Sequence, residues 1–229
     1  MSALLAGLDC TGDSFSVALV RGEECLAEAG GWSPRAHLRL LFPALEECAA
    51  RAGVRLRDLE GVAVTAGPGS FTGLRLGIVT ARTLAWTLGC PAVAVDTLEA
   101  LALNIPEAPR VVAGLDARRG EIFAASFRTV GGEAEGLDGV RAWAPRDLAQ
   151  AMADAGGGVL VGSAAARYAE IFREVPGVSL APPLYGQVRG SVVARLGLRI
   201  LARGGAVAPL ELAPTYLRSA EVQVHGGPS

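Results

Sequence analysis

Three observations predict an α/β fold built from two similar lobes. Short apolar strands alternate with segments of helical period along the 229 residues. A hairpin pattern near the start returns about halfway along the chain. A two-proline segment, residues 104–109, separates the two repeats and reads as a linker.

The first repeat opens with the apolar run Leu4-Leu5-Ala6-Gly7-Leu8, which ends at Asp9. Cys10-Thr11-Gly12-Asp13 follows as turn chemistry, and Phe15, Val17 and Leu19 then alternate with Ser16 and Ala18 as a strand. The second repeat opens with Val111-Val112-Ala113-Gly114-Leu115-Asp116, 107 residues later and identical at four of six positions. The turn Ala117-Arg118-Arg119-Gly120 and a strand over 121–127 come next. Matching order, context and length mark a duplication. Two lobes that each open with strand, turn, strand and an aspartate at the bend follow the plan of the actin-like and ribonuclease H-like folds.

Between the repeats, Ser33-Pro34 supplies an N-cap and a first-turn proline for a helix. Leu38, Leu41, Leu45, Cys48 and Ala52 carry its apolar face, Gly53 ends it, and Pro43 predicts a kink. Val62-Ala63-Val64 is a short buried strand. The loop Gly67-Pro68-Gly69-Ser70-Phe71-Thr72-Gly73 follows, then a helix over 72–88 and a strand over 91–95. Asp96-Thr97-Leu98-Glu99 is a capping box that opens a short helix. The second lobe continues with an irregular Gly- and acid-rich stretch, 131–139. Helices are predicted over 145–155 and 164–174, and strands over 159–162 and 178–180. A last helix, 191–203, is free to return to the first lobe. The predicted division is a first lobe of residues 1–104 joined by 191–215, a second lobe of 105–190, and a flexible tail of 220–229.

Composition removes several function classes. All 21 basic residues are arginine. A Walker A loop, a protein-kinase site and a Schiff-base enzyme each need a lysine, so none of them is open to this chain. The formal net charge of −2 supplies no global field for nucleic acid. Cys10, Cys25, Cys48 and Cys90 match no zinc spacing and read as buried thiols in a reducing compartment. The two histidines, His37 and His225, form no metal pair, and no Gly-x-Ser-x-Gly elbow accompanies them. Neither a metal site nor a catalytic residue is expected. The start lacks a basic n-region, so no signal peptide is expected, and no apolar run reaches membrane-spanning length.

The candidate sites each carry two readings. Gly67 and Gly69 before a helix N-terminus fit either an anion cradle or a sharp, closely packed turn. Gly73, Gly77, Ala81 and Ala85 form a stripe of small residues that fits either the chain's own sheet or a helix of a partner, joined in the second case by Leu38, Leu41 and Leu45 of the first helix. Asp9, Thr11 and Gly12, with Asp116 opposite, sit where an actin-like ATPase holds magnesium and phosphate; each aspartate equally fits a turn cap.

The run Gly67-Pro68-Gly69-Ser70-Phe71-Thr72-Gly73-Leu74-Arg75-Leu76-Gly77 resembles the signature of the TsaB (YeaZ) family. Leu8-Asp9-Cys10-Thr11, Asp96-Thr97-Leu98-Glu99-Ala100-Leu101, Leu115-Asp116-Ala117-Arg118-Arg119-Gly120-Glu121-Ile122 and Pro214-Thr215-Tyr216-Leu217-Arg218 agree with it. The resemblance implies a two-lobed actin-like fold and a cytoplasmic, non-catalytic subunit of the machinery that threonylcarbamoylates the anticodon-adjacent adenosine of tRNA. It also implies pairing with a TsaD-type transferase through the first-lobe helices, a TsaE-type ATPase as a further component, and a homodimer when the chain is alone. tRNA is then met only through the complex, and no cofactor is required beyond ATP or ADP with Mg at the level of the complex. The alternative is a stand-alone actin-like Mg-ATP hydrolase or kinase, and a peptidase using His37 stands third.

Overall fold

The opening hairpin forms as the alternation requires. β1 (Leu4–Asp9) pairs antiparallel with β2 (Ser14–Arg21), with Leu5 opposite Val20 and Leu8 opposite Val17. The chain is seen here as a computed structural model that describes residues 2–32 and 37–217, without the side chains of His37 and Leu38. β3 (Glu24–Trp32) adds an outer strand, and its glycine- and glutamate-rich sequence hides it from a pattern search. Then follow α1 (His37–Ala52), β4 (Gly61–Gly67), α2 (Phe71–Leu88), β5 (Ala92–Asp96) and α3 (Thr97–Ala102). The sheet order is β3-β2-β1-β4-β5, with β1, β4 and β5 parallel.

The second lobe repeats this plan. It runs β6 (Ala108–Asp116), β7 (Ile122–Val130), β8 (Glu133–Gly136), β9 (Arg141–Trp143), α4 (Pro145–Asp154), β10 (Gly158–Val161), α5 (Ser163–Arg167), α6 (Ala169–Arg173) and β11 (Val178–Leu180). Its order, β8-β7-β6-β10-β11, matches the first sheet strand for strand, and β9 adds to β7 beyond that path. The fold is therefore the two-lobed actin-like α/β duplication.

α7 (Gly190–Ala202) returns to the first lobe. Leu4, Ala6 and Leu8 face α1 and α2, whereas Leu5 and Gly7 face α7. A sheet covered on both sides buries every residue of β1 and β4, and those strands read as continuous apolar runs. α3 lies at the junction. Leu98 and Leu101 share a core with Val95 of the first sheet and with Val111, Ala113 and Phe127 of the second. The lobes thus share buried surface.

Several boundaries differ from the sequence reading. Residues 104–109 are not a free linker: Ala108 and Pro109 already belong to β6, and buried Asn104 donates through Nδ2 to the carbonyls of Tyr185 and Gln187. The single helix predicted over 164–174 is two, because Tyr168, at φ −114° and ψ 25°, breaks the helical path between α5 and α6. The stretch 131–139 contains β8. α1 is continuous through Pro43. The predicted Ser33-Pro34 cap and the tail 220–229, with His225, lie outside the described residues. Asp96 caps α3 as expected, its Oδ1 accepting from the N–H groups of Leu98 and Glu99 at 2.8 and 2.9 Å. No helix among the described residues is long and apolar enough to cross a membrane.

Candidate functional site

A cleft of about 1640 Å³ lies between the lobes, with the two hairpin turns facing it. Asp9, Thr11 and Gly12 line it from the first lobe and Asp116 from the second, so the fold brings together the residues singled out for nucleotide binding. Their geometry is that of turn caps. Asp9 is 2% exposed, and its Oδ1 accepts from the N–H of Thr11 at 3.3 Å, the hydroxyl of Thr11 at 2.7 Å and the hydroxyl of Thr65 at 2.7 Å. Asp116 repeats the arrangement: its Oδ1 accepts from the N–H of Arg118, again two residues on, at 3.1 Å. Tyr168 donates its hydroxyl to the same oxygen at 3.3 Å, and the Arg167 guanidinium lies 3.2 Å from Oδ2.

The glycine-rich loop closes the first of these turns. The N–H of Ser70 donates to the carbonyl of Thr11 at 2.8 Å, and a Cβ on Gly69 would lie 2.6 Å from the Cβ of Thr11. A phosphate needs that space and those donors. Asp9 Oδ1 already takes three hydrogen bonds, which leaves that oxygen little capacity for a magnesium ion. The loop and the turn pack directly on each other at Gly69 and Thr11. Ser70 also caps α2, its Oγ accepting from the N–H of Gly73 at 3.1 Å.

The C-terminal segment seals the loop from the other side. The N–H of Thr215 donates to the carbonyl of Ala66 at 2.6 Å. Gly67, at φ 131°, faces the Thr215 carbonyl so closely that a Cβ would come within 2.3 Å of it. Tyr216 stacks on Phe71 with ring centroids 5.2 Å apart, and the Arg75 guanidinium sits 3.8 Å above the Phe71 ring. Arg82 reaches the Leu210 carbonyl at 2.8 Å.

The second-lobe turn has an unusual backbone. Arg118 and Arg119 adopt φ of 63° and 53°, the left-handed region that non-glycine residues enter at about 1–2 kcal/mol each. From this turn the Arg118 guanidinium crosses the cleft mouth to Asp13, 3.6 Å away. The pair is exposed and is worth at most about 1 kcal/mol.

The four cysteines are not poised as nucleophiles. Burial pushes the Cys10 thiol far up, with the Asp9 carboxylate adding to it, and pushes Cys48 up to about 11. Cys25 and Cys90 are also raised, chiefly by burial. All four are thiols at neutral pH and are poor nucleophiles. Among the described residues no cluster of three or more His, Cys, Asp or Glu could hold a metal ion.

The small-residue stripe on α2 faces inward, so the sequence reading of it as a partner contact is corrected. Gly73, Gly77, Ala81 and Ala85 are all buried. A Cβ on Gly73 would lie 1.8 Å from the Cys10 carbonyl oxygen, and one on Gly77 would lie 3.2 Å from Val64 Cγ2. The stripe lets α2 approach its own β1 and β4. Leu41 and Leu45 of α1 are buried in the same core, and only Leu38 lies outside the described side chains. Other large apolar residues of these helices are exposed: Leu40 and Phe42 flank the buried Leu41 on α1, and Val79 and Trp86 share one face of α2, at 57% and 67% exposure.

A family model described as TsaD, tRNA N6-adenosine threonylcarbamoyltransferase, matches residues 18–174. A tRNA threonylcarbamoyladenosine biosynthesis protein TsaB from Bacillus subtilis is 31% identical over 125 residues, 54% of this chain and 55% of the relative. The solved structure of YeaZ from Pseudomonas aeruginosa superposes with a TM-score of 0.79 at 27% identity, covering 94% of this chain and all of that one. The chain belongs to the TsaB/YeaZ family. It spans about half the length of the curated relatives it matches. A ROK hexokinase from Thermus thermophilus, at 17% identity and a TM-score of 0.51, shares the fold.

Within this TsaB/YeaZ chain, sequence reasoning missed two groups. The outward apolar residues of α1 and α2 were legible as apolar positions off the phase of the core face, and the core periodicity drew attention away from them. The rim of the cleft was also missed. Trp32 ends β3 at 67% exposure, while Phe71, Arg75 and Tyr216 meet only through a contact between α2 and the C-terminal segment, which no local pattern announces.

Proposed function

We propose that this chain is a partner subunit, without catalytic groups of its own, of a TsaD-type transferase that places threonylcarbamoyl on tRNA. Family membership supports the pathway. The observation that carries the partner role is the outward stripe of α2: Val79 and Trp86, two turns apart on one face, are 57% and 67% exposed, and the neighbouring α1 adds exposed Leu40 and Phe42 on its flanks. Exposed large apolar residues that include a tryptophan are what the centre of a protein interface presents. The turns that serve actin-like ATPases are occupied by the chain's own hydrogen bonds, which favours a supporting role over independent Mg-ATP hydrolysis.

In this reading the helices α1 and α2 pack against helices of the transferase and hold them in the arrangement that accepts tRNA. A TsaE-type ATPase joins the assembly and brings the nucleotide chemistry. A second copy of this chain competes for the same face when the transferase is absent. The work is done in the cytoplasm, where tRNA is modified.

Co-purification with the transferase of the same organism, followed by tRNA modification with and without this chain, tests the proposal. Modified adenosine should form only when both are present. The double substitution Val79→Glu and Trp86→Glu touches only exposed positions and should weaken pairing by roughly thirtyfold or more, the effect of losing an interface anchor. Full modification by the transferase alone, or undiminished pairing of the folded double variant, would overturn the reading.

A further inference from the structure

The cleft between the lobes is large, and the fold leaves it open while closing the phosphate turn at its floor. Its rim has a distinct chemistry. Trp32 stands on one side with most of its ring exposed. The stacked Phe71 and Tyr216 rings stand on the same lobe, each 40% exposed, with Arg75 above Phe71. Arg118 projects from the second lobe, and Arg173, also in the lining, pairs with no acid among the described residues. Flat rings interleaved with guanidinium groups along one groove are the surface on which unpaired bases stack while the phosphates run past cations.

The strained turn sharpens the point. Glycine or asparagine would hold φ near 60° without strain, yet the chain places Arg118 there. An arginine kept in a conformation that disfavours it points to a use for its side chain. Its partner across the cleft mouth, Asp13, is a weak one at 3.6 Å with both groups exposed, so a phosphate can take the guanidinium over. The other acids of the cleft are committed: Asp9 to hydroxyls, Asp116 to Arg167.

We infer that the inter-lobe cleft binds a single-stranded stretch of RNA, with bases stacked on Trp32 and the Phe71–Tyr216 pair and backbone phosphates held by Arg118 and Arg173. This deepens the proposed function, on which it rests: the chain itself touches an unpaired segment of the tRNA that its complex modifies. Single-strand sites span upwards of roughly 4 nucleotides, and a cleft of about 1640 Å³ suits the short end of that range.

The test uses the full chain and a short unstructured oligoribonucleotide with a fluorescent end label, read by anisotropy across a salt series. Two variants are decisive. Arg118→Gly removes the guanidinium and relieves the turn, so the protein should melt at or above the wild-type temperature. Trp32→Ala removes an exposed ring and should leave the fold intact. Binding of the oligonucleotide is expected to weaken with salt, and to fall about tenfold or more in each variant, the effect of losing one base stack or one phosphate contact. Both variants should still pair with the transferase, so a failure of pairing in the wild type would remove the partner reading and leave the cleft assignment standing. Absence of RNA binding, equal binding of duplex RNA, unchanged affinity in both folded variants, or displacement of the oligonucleotide by Mg-ATP would each overturn the inference.

Discussion

Gly73 and Gly77 stand one helical turn apart on α2 and meet very different crowding. A Cβ at Gly73 would fall 1.8 Å from a backbone oxygen, that of Cys10, which cannot move without dragging the β1–β2 turn. At Gly77 the nearest atom is a methyl of Val64 at 3.2 Å, which can yield by a few tenths of an ångström. Alanine gains about 1 kcal/mol over glycine within a helix, and overpacking a core costs typically about 1–3 kcal/mol. Gly77→Ala should therefore change stability by less than about 1 kcal/mol. Gly73→Ala should lose about 2 kcal/mol or more, read from denaturant midpoints on the chain alone. Equal stability of the two variants would mean that the stripe does not seat α2 on its own sheet. The sequence showed these residues and their spacing; it could not show the direction they face, because a stripe of small residues fits a sheet and a partner helix equally well. The aspartates are a similar case. Asp9 and Asp116 were legible as equivalent bend residues, and their repeated i+2 N–H contacts bear out the turn-cap reading in both lobes. Thr65, which also donates to Asp9 Oδ1, lies 56 positions away on β4 and left no local trace.

Among the elements, α7 shows how a helix can be capped from another part of the chain. No side chain of its own caps its N-terminus. Glu28 of β3 does so: Oε1 accepts from the N–H and hydroxyl of Ser191 at 3.0 and 2.9 Å, and Oε2 from Arg189 at 2.6 Å. Burial alone would raise the Glu28 carboxyl, but the hydrogen bonds from Ser191 and Arg189 outweigh it and hold the group below its ordinary 4.5. A carboxyl lowered on folding adds stability that is full above its unfolded value and is lost as pH falls through the folded one. Glu28→Gln should thus be less stable than wild type at pH 7 by about 1.5–3 kcal/mol, the range for hydrogen bonds to a charged group. The gap should narrow as pH drops below about 4.5, the value the carboxyl has when free. Urea melts of both proteins at a series of pH values measure it, and a gap independent of pH would show that the charge of Glu28 plays no part. Helices and inner strands were legible here from period and apolar runs. β3 was not, because its alanines, glycines and glutamates blur the alternation that a half-buried strand usually shows, and Tyr168 leaves the helical path inside what reads as one helix.

For the whole molecule, the duplication seen in six residues proved to be a duplication of sheets, strand order included. The return of the last helix to the first lobe was legible too, and α7 does cover that sheet. What the sequence did not show is the core the lobes share: a two-proline segment read as a linker, yet the core around Leu98 and Leu101 takes residues from both sheets. Side chains of Val193 and Leu196 on α7 belong to that same shared core. Lobes that share a core in this way lose it together, so unfolding should be a single cooperative event. The tryptophans report the lobes separately, with Trp32 and Trp86 in the first and Trp143 in the second. The variant Trp143→Phe follows the first lobe alone, and the double variant Trp32→Phe with Trp86→Phe follows the second. Trp32 and Trp86 are both mostly exposed, so replacing them should leave the core undisturbed. Fluorescence midpoints in urea should coincide once each variant is referred to its own far-UV dichroism transition, and the slope should be that of one unit burying both sheets. Two separated transitions, with the second lobe melting while the first persists, would show instead that α3 and α7 merely lean on the lobes. The cleft would then lie between bodies free to move apart, rather than between walls held by a common core.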